Sequence, residues 1–210
     1  MEPEDLLESV LSPGPTSSKT NGWQSIVGVI AIILLAPLLA VLMTIFVFQS
    51  YEVFGASMET TLQNGDRLIV QKVSKNWSSI RGRDYIPQRG EVIVFDKPNS
   101  VTNSGGDVKH LIKRVIALPG ERVVVKDGEV TVYNIDNLNG FNPDEGQEYA
   151  KDILTTPGSV DITVSDNEVF VMGDNRANSL DSRSFGSISG DSISGVALVR
   201  FIPVNAFKSL

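Results

Sequence analysis

The sequence predicts a mainly β protein in which one N-terminal transmembrane helix precedes an exported all-β domain that carries a smaller inserted β lobe. Three observations lead there. From Ile26 to Phe48 the chain holds no charged residue, and nearly every side chain is aliphatic or Phe. Beyond it, short runs rich in Val, Ile and Phe alternate with Asn-Gly, Arg-Gly, Pro-Gly and Asp-Gly pairs, the pattern of strands joined by tight turns. Outside the apolar run no helical period is sustained, and no internal repeat appears.

Taken in order, residues 1–22 read as a flexible tail. Glu2, Glu4, Asp5 and Glu8 are followed by Ser, Pro, Gly, Thr and Asn, with too little apolar surface to fold alone. Residues 23–49 read as a transmembrane anchor, because a helix of roughly 20 apolar residues is what a bilayer core demands. Pro37 near the middle should kink it. Trp23 at one end, with Phe46, Phe48 and Tyr51 at the other, is placed as interfacial aromatics are. The run is too long for a secretory signal and lacks a small-x-small site at its end, so it reads as uncleaved. Lys19 precedes it, whereas Glu52 and Glu59 follow with no Lys or Arg before Arg67. The positive-inside rule then puts the N-terminus in the cytoplasm, as a single-pass protein of the cell membrane with its C-terminal domain outside.

Residues 50–210 form the exported domain. Strands are expected at Arg67–Val73, Glu91–Phe95, His110–Leu118, Arg122–Lys126, Glu129–Tyr133, Asp161–Val164, Glu168–Met172 and Gly195–Ile202. Asp127-Gly128 between two valine-rich runs is a strong hairpin signal. Residues 120–167 are expected to be the smaller lobe, with 134–159 a long Asn-, Asp-, Gly- and Pro-rich loop region within it. Residues 99–107 form a second exposed loop.

Composition excludes several chemistries. With no cysteine there is no disulfide, thiol nucleophile or thiolate metal site. The one histidine, His110, would have to serve any Ser-His-Asp triad, and a zinc site would need carboxylates almost throughout. A net charge of −7 with scattered Lys and Arg argues against nucleic acid as a partner.

Three stretches are candidates for chemistry. In Phe54-Gly55-Ala56-Ser57-Met58 the serine has little bulk on its N-terminal side, so it either caps a turn or stands clear as a nucleophile. On the strand His110–Leu118, alternation puts Lys113 on one face with Leu111, Val115 and Ala117, and turns His110, Ile112, Arg114 and Ile116 to the other. Lys113 either snorkels to water from an edge strand or is buried, its pKa lowered from roughly 10.4 toward 7–8, and serves as a base. Such burial costs roughly 3–4 kcal/mol of stability. His110 should point away from any site built on Lys113. The third stretch, Met172–Arg183, is either an Asp/Asn-rich loop braced by Asp–Arg pairs or a frame that orients a buried amine.

These segments together resemble the bacterial type I signal peptidases, membrane-anchored serine proteases with a Ser-Lys dyad. Gly55–Leu62 matches the family pattern Gly-x-Ser-Met-x-Pro-Thr-Leu. Gly90–Phe95, which begins Gly-Glu, corresponds to the family's Gly-Asp strand, Lys113–Glu121 to its Lys-Arg-Val-Ile strand and Pro-Gly turn, and Gly173–Arg183 to its Gly-Asp-Asn-x-x-x-Ser-x-Asp-Ser-Arg loop. The resemblance implies a signal-peptidase-like catalytic domain without metal or cofactor. Ser57 would be the nucleophile and its backbone N–H the oxyanion donor. Lys113 would be the general base and Ser179 a hydroxyl holding its amine, with Asp181 and Arg183 bracing the loop. The substrates would be signal peptides of exported pre-proteins, bound as extended strands with Ala-like side chains just before the cleaved bond. Two positions depart from the pattern. Gly55 stands where many members have a serine that adds an oxyanion donor, and Thr60 stands where the family has proline.

Ser57 lies nine residues beyond Phe48, at most about 30 Å of chain, so its site is expected at the bilayer surface with apolar groups near Phe54 and Met58 facing lipid. A repressor-type Ser-Lys protease would need a DNA-binding domain and no span. A penicillin-binding enzyme would need Ser-x-x-Lys, but Thr60 stands there. A membrane-tethered β-domain that binds peptide without cleaving it remains the alternative from another class.

Overall fold

The computed structural model describes residues 22–59, 61–72, 85–96, 110–202 and 208–209. The expected tail (all but Gly22), the loop at 99–107, Val73 and Thr60 lie outside the described residues. The chain divides into two units, residues 1–43 and 44–210.

Helix α1 (Gly22–Val47) is 26 residues long, contains Pro37 and has no charged side chain. Its Ile, Leu and Val side chains between 26 and 42 are exposed, and Val47 at its C-terminal end is half-buried. Among the described residues no helix is long and apolar enough to cross a membrane.

The helix ends two residues before the anchor was expected to, and Phe48–Glu52 is already a strand, β1. The Phe-Gln-Ser-Tyr-Glu run alternates in burial along its length, the period of a strand and not of a helix. It pairs with β2 (Arg67–Gln71) from Phe48↔Gln71 to Glu52↔Arg67. Further strands follow; those at 137–141, 188–189 and 208–209 were not expected from the sequence, and the others lie within two residues of their expected bounds. In chain order the strands are β3 (Val92–Asp96), β4 (His110–Ala117), β5 (Arg122–Lys126), β6 (Glu129–Asn134), β7 (Asn137–Phe141), β8 (Val160–Thr163), β9 (Glu168–Met172), β10 (Ile188–Ser189), β11 (Ile193–Ile202) and β12 (Lys208–Ser209).

Eight strands form one antiparallel sheet in the order β1-β2-β11-β3-β4-β9-β10, with β12 paired to β11. The remaining four form the smaller sheet β7-β6-β5-β8. Asp127 and Gly128 both take positive φ, 54° and 87°, as a two-residue turn between β5 and β6 requires. β7 falls inside the stretch expected to be loop. Asn-Leu-Asn-Gly-Phe has little strand propensity, and pairing to β6 together with the packing of Phe141 against the lobe core holds it.

Burial of apolar side chains groups the residues into three clusters. One joins Ile116, Ala117, Phe170 and Met172 to the Val-rich lobe. A second gathers Val53, Met58, Leu62, Leu68, Val70, Val92, Val94 and Ala197 beneath the turn that carries Ser57. The third holds Ile93, Phe95, Val115, Val169, Val171 and Ile193 on the other side of the large sheet. Met58 is therefore 1% exposed and faces the core, not lipid, whereas Phe54 is 81% exposed.

Candidate active site

β4 is the strand on which the site is built. β3 pairs with it along its length, Val92↔Arg114 through Asp96↔His110. On its other side β9 pairs only from Arg114↔Met172 onward. Among the described residues no strand flanks 110–113 on that side. Lys113 thus sits where its neighbour strand has just turned away. The side chain is buried (2% exposed), and its amine bends back to donate to Ile112 O at 2.8 Å, which brings it to the open edge of the strand. There it donates to Ser57 Oγ at 2.7 Å. Burial pushes the Lys113 amine down to about 8, against the pull of the Asp181 and Asp174 carboxylates.

Ser57 stands in a turn closed by Glu59 N–H to Ala56 O and Leu62 N–H to Met58 O. Met58, seated in the core, fixes the turn from below. Gly55 N–H donates to Asn64 Oδ1 at 2.9 Å. Gly55 has φ 93°, a region that L-residues rarely adopt. A serine in that place would be strained, which is a backbone reason for the missing hydroxyl. Among the described residues none accepts a hydrogen bond from the N–H of Ser57.

The loop after β9 closes over this turn. Gly173 passes so near that a Cβ there would lie 2.3 Å from both Ser57 O and Ser179 Oγ. Asp174 forms a two-bond ion pair with Arg114, Nε to Oδ1 at 2.9 Å and Nη2 to Oδ2 at 2.7 Å, and that guanidinium lies over the Tyr149 ring at 3.9 Å. Arg176 makes a second such pair with Asp144. Asp181, fully buried, receives Gly173 N–H at 3.0 Å and the Arg183 guanidinium at 2.8 Å on each oxygen, and caps helix α2 (Ser182–Phe185). Burial works against its charge, but Arg183 and the Gly173 N–H outweigh it and hold the carboxyl below its ordinary value. Arg183 also donates to Pro157 O and Arg176 O, tying the loop to the chain on either side.

Ser57, Lys113, Ser179, Asp181 and Arg183 are therefore brought together, but one expected contact differs. The Lys113 amine is engaged by Ser57 and Ile112, while Ser179 Oγ is buried without a hydrogen-bond partner. It lies beside Asp181, close enough to support its charge, yet in no hydrogen-bond geometry.

His110 also departs from expectation. It lines the same groove as Ser57 and Lys113, a cavity of about 450 Å³ bounded by Ser50–Phe54 of β1 and its continuation and by His110–Lys113 of β4. Alternation turned it away from Lys113 correctly along a flat strand. The large sheet curls, however, so that β1 covers that face, with Tyr51 edge-on to His110 at 5.2 Å, and Lys113 reaches round the open edge. His110 Nδ1 lies 3.0 Å from Asp96 Oδ1. Among the described residues no three acidic or histidine side chains gather as metal ligands.

Arg114, Asp174, Asn175, Arg176 and Asp144 also hold the site together, and none was singled out in the sequence. The adjacent Lys-Arg and Gly-Asp-Asn were the available signal, since a buried Arg needs a carboxylate and only a loop dense in Asp offers one.

A hydroxyl held by a buried, weakly basic amine beside an open strand edge suits peptide-bond chemistry, and comparison with known proteins places the chain among the peptidases. A family model described as signal peptidase, peptidase S26, matches residues 26–202, and the chain belongs to that family. A probable signal peptidase I of Synechocystis is 37% identical over 192 residues, covering 90% of this chain and 88% of its own length. A signal peptidase I of Bacillus licheniformis is 31% identical over 193 residues, covering 90% of this chain and 95% of its own. A crystal structure of a signal peptidase I from Enterococcus faecalis superposes with a TM-score of 0.40 at 26% identity, over 53% of this chain and 97% of that one.

Proposed function

We propose that the protein is a membrane-anchored serine endopeptidase that removes N-terminal signal peptides from exported pre-proteins, with Ser57 as nucleophile and Lys113 as general base. The observation that carries the reading is the 2.7 Å contact between the Lys113 amine and Ser57 Oγ, made by a lysine that burial pushes down to about 8. Family membership supports the substrate class.

The groove supports an extended substrate. β1 on one wall and 110–113 on the other both present strand edges unpaired among the described residues, so a peptide laid between them gains main-chain hydrogen bonds. The neutral amine of Lys113 turns its lone pair to Ser57 Oγ and takes the proton as Oγ attacks the scissile carbonyl carbon. The N–H of Ser57 meets the charge that forms on the carbonyl oxygen. The tetrahedral species collapses, the amine of the mature protein leaves with the proton that Lys113 returns, and the acyl group stays on Ser57. Lys113 next takes a proton from water, which attacks the ester, and gives it back to Ser57 Oγ as the peptide acid departs. Asp181 and Arg183 keep the loop against the turn, and in this reading the unpartnered hydroxyl of Ser179 helps to hold the amine during the reaction.

Helix α1 serves as the anchor in this reading, with the N-terminus cytoplasmic and the catalytic domain outside. The deciding experiment is turnover of a purified pre-protein by the full-length chain in detergent. Cleavage that disappears in Ser57→Ala and Lys113→Ala supports the reading. A folded wild-type chain that binds the pre-protein and never cuts it would leave a peptide-binding domain instead.

A further inference from the structure

Asn175 makes two hydrogen bonds to consecutive carbonyls that flank the Cα of Ser57. Its Nδ2 donates to Ala56 O at 3.0 Å, and its own backbone N–H donates to Ser57 O at 3.1 Å. In a trans peptide the C=O and the N–H of one unit point to opposite sides. Holding Ala56 O toward Asn175 therefore turns the N–H of Ser57 away from the loop, and holding Ser57 O fixes the next peptide plane. Between them the two planes set φ and ψ of Ser57, and with those the direction in which Oγ leaves the backbone.

Asn175 is itself held in place. Asp174 before it is locked to Arg114 by two short bonds in a buried site, and Arg176 after it is paired with Asp144. Gly173 admits the loop to this distance, because any side chain there would meet Ser57 O. The N–H so aimed has no acceptor among the described residues. Gly55, with its positive φ, adds no side-chain donor beside it.

We propose that Asn175 is the positioning residue of the oxyanion site: it aims the backbone N–H of Ser57 at the developing negative charge, in a chain where that one donor works without a hydroxyl at residue 55. The proposal rests on the Ser57–Lys113 reading. Asn175 touches neither the substrate nor the transferred proton. It acts through the peptide plane, and a plane turned by a few tens of degrees takes the donor out of line with an oxygen that must lie about 3 Å away.

The test compares wild type with Asn175→Asp and Asn175→Ala in the full-length chain in detergent. Asp has the same shape but no Nδ2 donor for Ala56 O. Ala removes the side chain and keeps the backbone bond to Ser57 O. The probes are a signal-peptide substrate, a peptide aldehyde of the same sequence, whose carbonyl Ser57 Oγ adds to and whose oxygen then occupies the oxyanion position, and the same peptide ending in an amide. In both variants kcat should fall roughly tenfold to a hundredfold with KM within about twofold. Affinity for the aldehyde should fall by the same factor, the amide should bind unchanged, and in Asn175→Ala, which adds no charge near Lys113, the pH at which activity rises should stay where it is. Unchanged kcat and aldehyde affinity would overturn the proposal. So would an equal loss for aldehyde and amide, which marks a loop that merely supports the groove.

A measurement independent of turnover is the fast-timescale order of the Ser57 amide by nuclear relaxation, with the resonance assigned through Ser57→Ala. That amide should be rigid in wild type and mobile in Asn175→Ala. Equal rigidity in both overturns the proposal even if activity is lost. A wild-type chain that neither cleaves nor takes the aldehyde sinks the Ser57–Lys113 reading, and the amide order still decides what Asn175 does.

Discussion

Lys113 sits among apolar side chains with its amine against a hydroxyl and a carbonyl, and the protonated form is the disfavoured one there. Arginine has similar reach but keeps its charge above pH 12. Lys113→Arg is therefore expected to lower cleavage by more than about a thousandfold while the protein still folds, measured as turnover beside the melting temperature. Activity of the native chain should rise with pH through an apparent pKa near 8, since the neutral amine is the working form. The same group leaves a mark on stability. In the unfolded chain Lys113 keeps its ordinary pKa, so between about 8 and 10.5 the unfolded state holds more protons, and stability rises with pH across that window. Lys113→Met should lack that rise, as denaturant midpoints taken from pH 8 to 10 will show. For Ser179 the orphaned hydroxyl makes a clean case. Ser179→Ala breaks no hydrogen bond in the folded chain, so the midpoint should barely move, while the rate should fall if the hydroxyl swings in to hold the amine during reaction.

Among the elements, the loop 173–183 matters most because it sits on the nucleophile turn itself. Gly173→Ala places a carbon 2.3 Å from Ser57 O, which cannot yield without moving the turn. We expect loss of most activity and about 1–3 kcal/mol of stability, read from turnover and urea midpoints. How far such features can be read from the sequence depends on the element. Strands such as β3 and β9 are short runs of buried Val, Ile and Phe, and their β-branched and aromatic content with the turn residues around them marks them without a structure. β1 was hidden because Phe48 closes the apolar run and the Gln-Ser-Tyr-Glu that follows holds too few apolar side chains to mark a strand. β7 was hidden because partners, and not its own side chains, make it a strand. In the site, Ser57 and Lys113 were legible through their flanking motifs. The burial of Lys113 was not, since it depends on β9 ending at Met172 opposite Arg114, a matter of register. The groove position of His110 depends on sheet curl, which alternation along one strand cannot show.

For the molecule as a whole, the β domain follows its helix directly at Phe48 and leaves Phe54 outward. A chain lacking residues 1–47 keeps β1 intact and should still float with liposomes. Phe54→Ser should weaken that association by roughly tenfold, as the loss of one buried phenyl ring predicts, and a truncated chain that ignores lipid would count against a site at the membrane. The two strand edges across the groove, unpaired among the described residues, carry a consequence for the timing of the reaction. A substrate that pairs with both finishes the sheet, and cutting its peptide bond leaves those backbone hydrogen bonds in place. For sequences that pair well, departure of the severed fragment and not bond cleavage should limit turnover. Methylating alternate backbone nitrogens of such a fragment should speed its exit and abolish its inhibition.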